Sequence, residues 1–252
     1  MKNSSLQQTH QEFTISSIFK SQSDWIYGRH NETIEQAFDK MQKNKFDILP
    51  VRDADGIFKK YFKTKESGEF GVNDIKLFEI KPKDCLDHFT NIKDAVKAFA
   101  KAFAKSDRNF FFVKNGKEVA GLLTAGNLNS KHVYVYLYNL ISQLEFELGM
   151  LINKSGIDDN ELFGILEENN RSVKPNLRYK REIKKGLDHK FIECAYLGDM
   201  AWIIKEKNLH RKIKMTGKDF DSSIKLVNKL RNIVAHPVNS LIKGKNSIVE
   251  LD

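Results

Sequence analysis

Ala120-Gly121-Leu122-Leu123-Thr124-Ala125-Gly126-Asn127-Leu128 is a short apolar run that stops at a threonine and passes into small and amide residues. On its own it reads as a buried strand ending in a turn. Working outward, it closes the second of two copies of one pattern, and an internal repeat outranks any local assignment of secondary structure. Thr33-Ile34-Glu35-Gln36-Ala37-Phe38 answers Asn91-Ile92-Lys93-Asp94-Ala95-Val96, each a polar cap opening a helix with one apolar face. Phe46-Asp47-Ile48-Leu49-Pro50-Val51 answers Phe110-Phe111-Phe112-Val113 as a buried strand. Asp55-Gly56 and Asn115-Gly116 are then hairpin turns, and Tyr61-Phe62-Lys63-Thr64 is the partner of Gly121 to Thr124. The period is about 60 residues.

Helix, strand, turn and strand in this order, with Leu49-Pro50-Val51 in one copy and the quoted run in the other, resemble a tandem CBS pair, a Bateman-type α/β module. The resemblance spans about residues 24–130, with repeats at about 24–67 and 84–130. It implies clefts that take adenine nucleotides or related adenosyl compounds, so AMP, ATP or S-adenosylmethionine is the expected regulatory ligand. Thr64 and Thr124 match the family position whose hydroxyl reaches the ligand. Three residues later the pattern calls for aspartate, and here Ser67 and Asn127 stand there. Asn127 retains hydrogen-bonding capacity toward a ribose but supplies no charge. The expected ligand-binding set is therefore Thr64, Thr124 and Asn127, and a purely structural or dimerising pair is the alternative. Lys65 to Pro82 reads as a connection with a short helix around Asn73 to Phe78, and residues 1–23, rich in Ser, Gln and Thr, read as a flexible lead-in.

From about Lys131 the pattern changes to helices alone. Leu137, Ile141, Leu144, Leu148 and Leu151 form one stripe of a long helix. Glu145 projects from its middle, where it either orients Arg231 or faces water, the second being the expectation, while Tyr134 and Tyr138 are read as packing or dimer contacts. Asp158 or Asp159 caps a following helix through Leu162 and Leu166, and another is expected from about Asp188 to Lys207. Gly217 precedes a last helix whose apolar stripe is Phe220, Ile224, Val227, Leu230 and Val234 and which Pro237 closes. Asn228, Asn232 and His236 share a second, polar stripe at steps of four.

Arg231-Asn232-Ile233-Val234-Ala235-His236 on that helix resembles the R-N-x-x-x-H motif of the HEPN superfamily, over about residues 131–243. The resemblance implies a helical bundle for residues 131–252, giving an α+β chain overall. It also implies a homodimer and metal-independent cleavage of RNA. Arg231 would hold the scissile phosphate, His236 would move a proton and Asn232 would position them. Histidine suits the task because its ordinary pKa lies near neutrality, and arginine because its fork of donors fits a phosphate. Some relatives carry tyrosine two positions after the histidine; Val238 stands there, so no role specific to that tyrosine is expected.

The chain carries a formal charge of +9, which favours an anionic partner. The helical half concentrates it, since Arg171 through Lys218 holds 14 basic and 5 acidic side chains. Lys180, Arg181, Lys184 and Lys185 are the RNA-binding candidates in that block. Cys85 and Cys194 stand far apart and form no ligand cluster, which argues for a reducing compartment. The first residues lack the apolar core of a signal peptide and Val133 to Ile152 is broken by Gln143, Glu145 and Glu147, so a cytoplasmic protein with no membrane span is expected. No phosphate loop, dinucleotide fingerprint, H-E-x-x-H, paired C-x-x-C or G-x-S-x-G occurs, so P-loop, dehydrogenase, zinc-hydrolase and serine-esterase readings have no support, and no metal site is expected. The sequence thus points to an adenylate-regulated RNA-cutting enzyme, suited to toxin or antiviral defence on the strength of the resemblance. Its competitor is a non-catalytic adenylate-sensing regulator with an inert helical domain.

Overall fold

The structure is a computed structural model of the chain; it describes residues 13–64, 71–106, 108–236, 240–243 and 247–248. Ser67, Pro237 and Val238 lie outside these. The described chain forms two units. One runs up to Val133 and takes in Ile242, Lys243, Ser247 and Ile248; the other runs from Tyr134 to Leu241.

The first unit holds strands β1 (Lys20–Ser21), β2 (Gly28–Arg29), β3 (Ile48–Arg52), β4 (Phe58–Thr64), β5 (Ile75–Glu79), β6 (Cys85–Asp87), β7 (Phe110–Asn115) and β8 (Glu118–Thr124). Helix α1 (Ile34–Asn44) lies between β2 and β3 in the chain, and α2 (Ile92–Ser106) between β6 and β7. Two sheets result, ordered β2-β3-β4-β5 and β6-β7-β8-β1. In each, a first strand pairs parallel to a second across a helical crossover, and a hairpin and an antiparallel edge strand follow. The repeat in the sequence is therefore a repeat in space. Each hairpin turns on a glycine with positive φ, Gly56 at 84° and Gly116 at 62°, where side chains are disfavoured. Thr33 caps α1 reciprocally with Gln36. Trp25, Ile48, Phe58, Tyr61, Phe110 and Phe112 form an aromatic-rich core drawn from both copies.

Two expectations for this half are corrected. The lead-in is folded from Phe13 onward: Ile15 is wholly buried, its amide donates to Thr90 O, and Lys20 and Ser21 pair with Leu122 and Gly121. Its polar composition hid this because backbone pairing and two isoleucines do the work. A Cβ built on Gly121 would stand 2.1 Å from the Phe19 ring and 2.7 Å from Lys20 O, so glycine in the quoted run is what admits β1. Asn73 to Phe78 is not helical; a one-turn 3-10 segment (Val72–Asp74) gives way to β5, whose register satisfies the outer edge of β4.

The second unit is helical: α3 (Lys131–Asn153), α4 (Asp159–Glu167), α5 (Val173–Lys184), α6 (Leu197–Glu206) and α7 (Gly217–Ala235). Asp158 caps α4, accepting from the Glu161 amide, and Thr216 caps α7, accepting from Asp219 N. Leu148, Ile152, Leu162, Phe191, Ile203 and Phe220 are central to its core. The single helix expected over Asp188 to Lys207 is corrected to a 3-10 turn (Phe191–Cys194) followed by α6, because the Asp199 carboxylate accepts from Tyr196 N and starts a new helix there. Tyr134 is buried and its hydroxyl accepts from Leu241 N, whereas Tyr138 is exposed. Ile242 exchanges hydrogen bonds with Asn129 and groups with the first unit.

Candidate functional site

The quoted run ends on the rim of a cleft of about 390 Å³ in the first unit. Trp25, Ile26, Ile48, Pro50 and Leu122 give it apolar walls, and Thr124, Asn109 and Asp47 give it polar ones. Lys20 and Lys45 complete the charged lining. Trp25 is fixed by its indole N–H, which donates to Lys20 O, and by edge contact with Phe58. Burial pushes the Asp47 carboxyl above its ordinary value, with Lys63 pulling the other way.

Of the three expected ligand residues only Thr124 lines this cleft. Asn127 is already engaged, its amide oxygen accepting from both the backbone N–H and the hydroxyl of Thr124, at 2.7 and 2.9 Å. That bond holds the Thr124 rotor while leaving the hydroxyl oxygen free to accept. Thr64, the matching residue of the first copy, is 3% exposed and does not border the cleft. Trp25, Asp47, Asn109 and the two lysines went unnoticed in the sequence. A signal existed for two of them, since Asp47 and Asn109 each stand just before the first core strand of their repeat.

In the helical unit the decisive contact is between residues 86 positions apart: Arg231 Nε donates to Glu145 Oε1 at 3.0 Å. The expectation that Glu145 simply faces water is corrected. The half-exposed guanidinium needs a counter-charge, and the half-buried carboxylate of α3 supplies it. Asn232 is exposed. His236 is the C-cap of α7, exposed, its backbone N–H donating to Ile233 O. All three motif residues thus sit on the last turns of one helix, the guanidinium braced and the other two open to solvent.

The four basic candidates, three on α5 and Lys185 at its C-cap, are exposed. Arg181 and Lys185 both pair with Glu182, at 3.4 and 3.0 Å, and Lys185 beside it lowers the Glu182 carboxyl from its ordinary value. Lys180 and Lys184 have no acidic partner among the described residues. The described residues contain no group of three or more metal-ligating side chains and no helix long and apolar enough to cross a membrane.

No family model and no curated protein matches the sequence. Solved structures do resemble part of it. The CBS domains of a transcriptional regulator from Streptococcus pneumoniae match at 13% identity and a TM-score of 0.34, covering 44% of this chain and 92% of that one. CBSX2 in complex with AMP matches at 15% and 0.35, covering 46% and 92%. The CBS domain of a bacterial CNNM/CorC family Mg2+ transporter in complex with ATP matches at 12% and 0.35, covering 51% and 92%. The first unit repeats one α/β sheet topology, with a helical crossover in each copy.

Proposed function

We propose that the chain is a metal-independent endoribonuclease of HEPN type whose N-terminal unit binds an adenine nucleotide that regulates it. The observation that carries the reading is the Glu145–Arg231 bond. It uses the Nε of the guanidinium and leaves the terminal N–H groups for a phosphate, one helical turn from an exposed imidazole. In the reaction His236 takes the proton of a ribose 2′-hydroxyl, the freed oxygen bonds to phosphorus, and the bond to the 5′-oxygen breaks as that oxygen gains a proton. Charge building on the phosphoryl oxygens is met by Arg231. One imidazole cannot act as base and acid in the same event, so a second copy in a homodimer completes the site. RNA is held by Lys180, Arg181, Lys184 and Lys185, and a role in toxin or antiviral defence suits such a device.

The cleft at Thr124 supports the regulatory half, because apolar walls with a few polar groups are what a nucleoside needs. A ligand there regulates only through different affinity for two states of the protein. The second reading, a non-catalytic adenylate sensor, is favoured by one fact: an arginine bonded to a carboxylate is also what a structural ion pair looks like. Incubating mixed RNA with wild type and with His236→Ala in EDTA separates the two. Cleavage by wild type alone supports the nuclease; intact RNA with both proteins, with and without AMP or ATP, leaves the sensor.

A further inference from the structure

We propose that the outer face of α5 is a docking surface for an anionic lipid bilayer, with Val173 and Leu177 entering the headgroup layer and Lys180 and Lys184 holding lipid phosphates beside them. This goes beyond the RNA-cutting reading and does not depend on it.

Helix α5 is tied to the second unit by one side. Pro175 is buried, and Tyr179 packs against the core with its ring edge-on to Phe191 at 5.7 Å. At about 100° per residue, Val173, Leu177, Lys180 and Lys184 lie within roughly 60° of one another on the other side. Val173 is 62% exposed and Leu177 66%, and Ile183 and Leu187 are exposed as well. Four large aliphatic side chains exposed along one short stretch mark an interaction surface, whereas singly scattered ones would not.

The same stretch is strongly positive. Val173 through Lys185 holds six basic residues and one acid, Glu182. That acid is already paired with Arg181 and Lys185, and Lys180 and Lys184 have no acidic partner among the described residues. RNA, an acidic protein and an anionic bilayer all complement this charge, and the aliphatic groups choose among them. Unpaired bases stack on aromatic rings, but the one aromatic residue of α5, Tyr179, is turned to the core. Protein interfaces are depleted of lysine at their centres, whereas Lys180 and Lys184 continue the stripe of Val173 and Leu177. A bilayer surface accepts both kinds of side chain at once. Aliphatic groups enter the acyl boundary, and lysine stems lie along it with their ammonium groups at phosphate level. Such a contact lies in the plane of the surface and needs no membrane-spanning helix. The cations serve one polyanion at a time, so a docked bilayer takes them from RNA.

Cosedimentation of the full chain with vesicles of phosphatidylcholine alone, and of equimolar phosphatidylcholine and phosphatidylglycerol, tests this. Binding to the mixed vesicles is expected to be roughly tenfold or more tighter than to phosphatidylcholine alone and to weaken as salt rises. Hydrogen exchange over residues 173–187 should slow when wild type meets the mixed vesicles, which locates the contact without any variant. In the double variant Val173→Gln, Leu177→Gln, vesicle affinity should fall roughly tenfold, while RNA binding read by fluorescence anisotropy holds. No binding to the mixed vesicles, equal binding to both kinds, or unchanged exchange over 173–187 overturns the proposal. So does a double variant that binds vesicles as wild type does. A double variant that melts like wild type yet loses RNA in the same proportion overturns it too, because the aliphatic groups then belong to an RNA site. Cleavage in EDTA tests the RNA-cutting reading by itself, so either can fail alone.

Discussion

Arg231 and Glu145 show what single residues decide here. The bond between them fixes one edge of a guanidinium, and a substitution that preserves charge but loses the fork should not restore it. Arg231→Lys is therefore expected to lower RNA cleavage nearly as far as Arg231→Ala, and His236→Ala to lower it by roughly 10²–10⁴. Initial rates on a defined RNA in EDTA measure both. Glu145→Gln should give an intermediate loss, because the amide oxygen still accepts from Nε but the charge is gone. Asp47 makes a separate, pH-dependent forecast. Burial raises its carboxyl above the ordinary 3.8, so the folded state binds that proton more tightly than the unfolded chain does. The stabilising contribution is present below 3.8 and is lost as pH climbs through the raised value. Asp47→Asn should thus melt higher than wild type at neutral pH and alike at pH below that window. The placement of Arg231, Asn232 and His236 at the end of one helix was legible at this scale because apolar residues recur with helical spacing up to Pro237. Glu145 was legible only as one of two options, bracing Arg231 or facing water, because sequence spacing does not fix how two helices 86 residues apart pack.

Among the elements, α5 tests the RNA-binding surface. Replacing Lys180, Arg181, Lys184 and Lys185 with alanine should weaken RNA binding at low salt and reduce the slope of log affinity against log salt by about 3 if all four contact phosphate. Fluorescence anisotropy across a salt series reads this, and an unaltered slope would remove α5 from the interface. Helix α7 offers a stability test: Thr216→Ala deletes the acceptor for Asp219 N and should cost about 1 kcal/mol in denaturant unfolding. The repeat was legible because each copy places its apolar residues with one period for the helix and another for the strands. Strand β5 was not, since four of its five residues are exposed, leaving Ile75 as its one buried anchor beside the pairing with β4. The break before α6 was hidden likewise, because Asp199 acts as a cap through geometry that composition does not reveal.

At the scale of the whole molecule each unit has its own hydrophobic core. Ligand at 100 times its dissociation constant stabilises the state that binds it by about 2.7 kcal/mol. AMP should therefore raise the melting transition reported by near-ultraviolet signals of the Trp25 core, and Thr124→Val should blunt the rise. The crossed placement of β1 has a consequence for how the protein is made. Lys20 must find Leu122, so a strand synthesised early has no sheet to join until the ribosome has released the second copy. Such a pairing is slow to form, because a long loop must close first. An expression variant trimmed to begin at Trp25 would leave β8 with a bare edge, an invitation to neighbouring chains.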